Sequence, residues 1–149
     1  MRALAALDPF AAGSPRPLML ARAQAALDAA RISNDNTTLR SSTEALQTWV
    51  AERRGDATAW LMLAQCAEAL GLRLRSLRAE AEARAALGDI GGAIDRLRAA
   101  QRQARSTAAA PDFIEASIID ARLRDLTAQR RAQMAEARGE RGRQEPPPQ

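Results

Sequence analysis

The sequence predicts an all-α protein, an array of antiparallel helical hairpins finished by a long C-terminal helix. Three observations lead there. Over residues 56–100, helix starts, helix stops and apolar residues at three- and four-residue spacing all agree. The links between these segments are a few residues long and contain glycine, so neighbouring helices must fold back on each other. Aromatic residues are 3% of the chain and tyrosine is absent, which removes the large side chains on which a β-sandwich or barrel is built.

With 149 residues and 46% hydrophobic content, the chain can bury one modest core but not two comfortable domains. No apolar run approaches the roughly 20 residues that a membrane-spanning helix needs, so no membrane span is expected and the protein should be soluble. Three regions are predicted: an irregular segment over residues 1–17, a helical domain over 18–138 and a disordered tail rich in Arg and Pro over 139–149.

Met1 to Leu7 can form a short helical turn, which Asp8, Pro9, Gly13, Ser14, Pro15 and Pro17 prevent from continuing. A single early Arg and a short apolar run cut by Asp8 do not make a signal peptide. The chain is then either cytoplasmic or a piece of a longer precursor.

The first helix carries Leu18, Leu20, Ala23, Ala26, Leu27 and Ala30 and ends near Ser33 to Asn36. The second turns Leu39, Leu46, Trp49 and Val50 inward. It starts near Asn36 or Thr37, with the capping box Ser41–Glu44 as a competing later start; the earlier one brings Leu39 into the stripe. Gly55 closes this helix. Asp56 then caps a third helix with Trp60, Leu63, Ala64, Ala67 and Leu70 inward, ended by Gly71 in the left-handed region. A fourth helix presents Leu74, Leu77, Ala81 and Ala85 on one stripe and stops at Gly88. Asp89 caps a fifth, with Ile90, Ala93, Ile94, Leu97 and Ala100 inward and cations toward its end. Ser106 to Ala110 reads as a loop. Asp112 and Glu115 then form a capping box for a long helix through Phe113, Ile114, Ile118, Ile119, Leu123, Leu126 and Met134, whose first half should pack on its predecessor.

Motifs for catalysis are absent. The chain has no His, so no metal site and no cofactor is expected, and the protein is not read as an enzyme. Glu80 and Glu82 lie two apart and point away from each other on a helix. Gly88, Gly91 and Gly92 follow a helix and precede no Lys, so a helix cap and a close hairpin contact account for them better than a phosphate loop. Cys66, alone on an apolar face, reads as a small buried hydrophobe. All 22 basic residues are Arg, yet the net charge is only +4 and acidic residues are interspersed, so nucleic acid is not the expected partner. Arg96, Arg98, Arg102 and Arg105 form a basic helix end; Asp120–Arg124 is a favourable pair, and Arg122 can reach Asp125 or Glu115.

The tetratricopeptide repeat places a W-x2-L-G-x2-Y pattern in its first helix and A-x3-F in its second. Trp60, Leu63, Ala64 and Ala67 keep the Trp and Leu, replace the Gly and lack the Tyr, while Ala93, Leu97 and Ala100 match the second half. The hairpins therefore read as divergent tetratricopeptide-like (TPR) repeats of an α-solenoid.

Residues 77–83, residues 87–100 and above all residues 113–126, FIEASIIDARLRDL, resemble the carboxy-terminal helical region of bacterial HExxH zinc metallopeptidases of the β-barrel assembly-enhancing protease type. The resemblance spans about Thr37 to Arg131. It implies a periplasmic, non-catalytic docking region, active in outer-membrane protein quality control and assembly beside an attached or separate protease domain. The zinc ligands and catalytic Glu of such enzymes match no position here.

In a stack of hairpins the first helix of each lines a concave side. Thr58, Leu61, Gln65, Glu68, Asp95, Arg98 and Arg102 are accordingly the candidate groove residues for a protein or peptide partner, with self-association as a further use. The alternative is a free-standing helical protein that binds anionic partners or nucleic acid through its Arg-rich helices.

Overall fold

The computed structural model describes residues 16–106 and 112–144, which form six helices and no strand. They are α1 (Arg16–Ile32), α2 (Thr37–Glu52), α3 (Ala57–Ala69), α4 (Arg73–Ala86), α5 (Ile90–Ser106) and α6 (Phe113–Gln144). Consecutive helices pack on one another; α1 also touches α3, and α4 also touches α6. That is the hairpin array expected, with its long terminal helix.

Local chemistry fixes the turns. After α3, Gly71 takes φ 74°, its N–H is bound by the Glu68 carbonyl, and Leu72 N–H reaches back to the Ala67 carbonyl. After α4 the same pair of bonds recurs, with Gly88 at φ 84°, Gly88 N–H on Ala85 and Asp89 N–H on Arg84. These are two Schellman endings, and a side chain bearing a Cβ would be strained at either glycine. The caps also form as expected: Asp56 Oδ1 accepts from Ala59 N at 3.1 Å, and Asp89 Oδ1 from Gly92 N at 2.8 Å. Helix α2 takes the earlier start. Asp35 Oδ1 accepts from Thr37 N–H at 3.0 Å and from its hydroxyl at 2.6 Å, which orders the entry before Leu39 is buried.

Two apolar clusters meet across α4. One joins Met19, Ala23, Ala26 and Leu27 of α1 to Leu39, Leu46 and Val50 of α2, to Trp60 and Leu63 of α3, and to Ala79 and Ala83 of α4. The other joins Leu77 and Ala81 of α4 to Ile90, Ile94 and Leu97 of α5 and to Ile119 and Leu126 of α6. Helix α4 is thus buried on opposite sides, where the sequence predicts a single stripe. Its alanines permit this, because a methyl lets two neighbouring helices approach on both faces.

Burial on these two sides carries Arg78 and Glu82 inside with it. Both find partners on α6. Arg78 pairs with the buried Glu115 and lies 5.9 Å from the Trp60 ring centroid, and Arg122 closes a two-bond fork on Glu82 at 2.8 and 2.9 Å. The expected partners of Arg122, Asp125 or Glu115, are therefore not the ones it takes. Asp112 does accept from Glu115 N at 3.0 Å, but the Glu115 carboxylate goes to Arg78 and the capping box is one-sided. Asp120 accepts from Gln101 Nε2 at 2.6 Å in place of the pairing expected with Arg124.

Helix α6 departs further from expectation. Phe113, Ile114 and Ile118, expected to pack on the preceding helix, are 73%, 77% and 42% exposed, and only Ile119 and Leu126 are fully inward. The reason is the ion pairs, which rotate the Glu115–Ile119–Arg122–Leu126 face toward α4 and α5. Helix α6 also runs through Gly139 to Gln144, six residues into the stretch read as a tail; at the other end of the chain α1 begins at Arg16 and takes Pro17 into its first turn, two residues inside the segment read as irregular, since proline is compatible with a first helical turn. The turn expected over Met1 to Leu7, most of the loop after Ser106 and the last five residues lie outside the described residues.

Candidate partner-binding groove

A groove of about 1050 Å³ crosses the array between α1, α3, α4 and α5. Leu27 and Ala30 of α1, Leu61, Ala64 and Ala69 of α3, Ala83 of α4 and Leu87 give it an apolar lining. Leu61 is 46% and Leu87 72% exposed, large apolar side chains left facing water. The polar lining comes from Asn36, Gln65, Glu68, Arg73, Glu80, Arg84, Asp89 and Arg96, with Arg31 at the α1 end.

The charged groups are tied together across turns and helices. Arg73 donates to Glu68 at 2.8 Å, Arg84 to Asp89 at 3.0 Å, and Arg96 Nε stands 2.9 Å from Glu80. Their chemistry follows from those contacts. The Arg73 hydrogen bond holds the Glu68 carboxyl below its usual range, and the Gly92 N–H followed by Arg84 does the same for Asp89. Both remain anions at neutral pH.

Of the residues predicted for this surface, Leu61, Gln65 and Glu68 line the groove. Asp95 lies in a smaller depression beside it, which shares Arg84 and Arg96 with it. Thr58, Arg98 and Arg102 are exposed outside the groove lining: Thr58 sits a turn ahead of Leu61, and Arg98 turns back on Asp95 at 3.5 Å. The physical reason is rotational. Asp95, Arg98 and Arg102 occupy the face of α5 opposite its core stripe, whereas Arg96 lies on the flank that faces α4, where Glu80 holds it. Contributions from α4 were missed for the same cause as its double burial.

Beneath one end of the array, Asp56 accepts a fork from Arg16 at 2.6 and 2.8 Å, an indole N–H from Trp49 at 2.9 Å and the cap from Ala59. This knot ties α1, α2 and α3 and so fixes the groove wall.

Cys66 is fully buried, as expected, and burial pushes its thiol up to about 11. A thiol protonated at neutral pH is a poor nucleophile. The native chain should therefore react with a disulfide reagent such as DTNB at least about tenfold more slowly than the urea-unfolded chain, monitored by thiolate release.

Among the described residues, no three His, Cys, Asp or Glu side chains gather to hold a metal ion, and no helix is long and apolar enough to cross a membrane. No protein-family model matches the chain, and no curated protein matches it significantly.

Proposed function

We propose that the chain is a non-catalytic protein-interaction module whose hairpin array binds a segment of another polypeptide in the groove over α1, α3, α4 and α5. One observation carries this reading: Leu61 and Leu87, large and apolar, stand open to solvent in a concave surface ringed by oriented polar groups. Such a surface favours a partner that covers apolar area and meets the polar rim. The likeness of residues 113–126 to the region beyond HExxH metallopeptidase catalytic domains makes a protease domain, attached or separate, and outer-membrane assembly components the first macromolecular partners to try, and the periplasm the compartment to examine. Tetratricopeptide-like repeats remain part of that proposal.

Selection of a random peptide display library on the immobilised chain tests it. Enriched peptides should lose about tenfold or more in affinity to the Leu61→Arg variant, because a guanidinium in place of this lining side chain removes the apolar contact and adds charge. Leu61 is half exposed, so the variant should retain its helical circular-dichroism signal. Peptides indifferent to Leu61→Arg would contradict the reading.

A second reading has its own observation. Arg130, Arg131, Arg138 and Arg141 on the distal part of α6 are exposed and take part in none of the ion pairs among the described residues. An anionic polymer is the matching partner, and steeply salt-dependent retention on heparin, lost on replacing these four, would support it.

A further inference from the structure

We infer that the groove takes an extended segment in which aliphatic residues alternate with aspartate or glutamate. This rests on the docking reading above and adds the chemistry of the partner.

The rim arginines are the first ground. Arg73, Arg84 and Arg96 are each steadied by one carboxylate, at 2.8, 3.0 and 2.9 Å. A guanidinium has five N–H donors, so each retains several after its internal contact and presents them from a fixed position. Counting charges in the lining, Arg31, Arg73, Arg84 and Arg96 outnumber Glu68, Glu80 and Asp89 by four to three. Donors are in greater surplus still: each guanidinium carries about five N–H groups, against about four acceptor sites on each of the three carboxylates. A ligand carrying carboxylates answers that surplus, whereas one carrying lysines meets it with like charge.

The second ground is the pair of amides. The side chains of Asn36 and Gln65 line the groove and make no hydrogen bond among the described residues. Each offers one acceptor and two donors, which matches the N–H and C=O of a peptide unit. A helical ligand has already satisfied its own peptide groups; an extended one has not. Alternation follows from the extended form, in which successive side chains point to opposite sides. One set then lies on Leu61, Ala64 and Leu87 while the other reaches the arginines.

Fluorescence anisotropy with the full chain tests this using three labelled, end-capped decapeptides that alternate Leu with Asp, Leu with Lys, and Ser with Asp. The Leu/Asp peptide should bind at least about tenfold more tightly than either of the others. The double variant Arg84→Ala/Arg96→Ala and the single variant Gln65→Ala, each checked for unchanged helicity, should weaken it by about fivefold or more. Equal binding of the Leu/Lys or Ser/Asp peptide, or indifference to the arginine and glutamine variants, overturns the inference. If the Leu/Lys peptide binds as well and Leu61→Arg abolishes that binding, the inference falls while the groove remains a docking site. Binding that no groove substitution affects, or no binding of any of the three, overturns the inference; in the first case the docking reading falls with it.

Discussion

Replacing Glu115 with alanine is expected to lower stability by about 3–5 kcal/mol, because it leaves the Arg78 guanidinium buried without its counter-charge. Arg78 and Glu115 side chains are 9% and 5% exposed, too little for water to substitute for the lost partner. Arg75 is the only other cation near that carboxylate, at 3.9 Å among the described residues, and it gains nothing from the loss. The first half of α6 should loosen as well, since it is held to α4 by this pair and by the Glu82–Arg122 fork. Urea unfolding followed by circular dichroism and by the fluorescence of Trp49 and Trp60 measures both effects, with Trp49→Phe as the background that isolates Trp60. The double replacement Arg78→Met/Glu115→Leu should recover most of the stability, because exchanging a buried pair for apolar volume removes both desolvation costs together. If Glu115→Ala costs less than about 1 kcal/mol, α6 is not anchored through this pair.

Asp56→Ala should cost about 2–4 kcal/mol through the loss of a helix cap and of charge-assisted bonds from Arg16 and Trp49. The Arg16 guanidinium, the indole N–H and the Ala59 N–H all favour the carboxylate, and together they outweigh the burial that opposes it. Its pKa in the folded state thus lies well below the ordinary value of 3.8. A lowered folded value means that the unfolded chain takes up the proton first. The stabilisation from Asp56 is therefore complete above about pH 5 and declines as the pH falls through 4 and below. Wild type should lose stability over that window more steeply than Asp56→Asn, and thermal melts between pH 3 and pH 7 provide the comparison. Parallel curves for the two proteins would show that the knot at the base of α1, α2 and α3 contributes nothing to acid sensitivity.

Much of the fold was legible because its signals are local. A glycine with positive φ, an Asp three residues ahead of a free N–H and an apolar residue every third or fourth place act within one or two turns, and Asp56, Gly71, Gly88 and Asp89 stand as the sequence implies. The misreadings arise where the deciding partner is far away in the chain. Arg78 meets Glu115 across 37 positions and Arg122 meets Glu82 across 40, so local spacing offers only neighbours, a capping box with Asp112 for Glu115 and Asp125 or Glu115 for Arg122, until the helices are docked. The same blindness hid the double burial of α4 and the exposure of Ile114 and Ile118. The groove was half legible. Periodicity along α3 located Leu61, Gln65 and Glu68, but on α5 it could not distinguish the outward face, with Asp95, Arg98 and Arg102, from the flank where Glu80 holds Arg96.

Amide chemical-shift mapping of the isotope-labelled chain with a peptide from the display selection tests the docking surface most directly. Perturbations should concentrate at Leu61, Gln65 and Glu68 on α3 and at Ala83, Arg84 and Arg96 across from them. Shifts confined to α6 beyond Leu126, with the groove residues unmoved, would contradict the account.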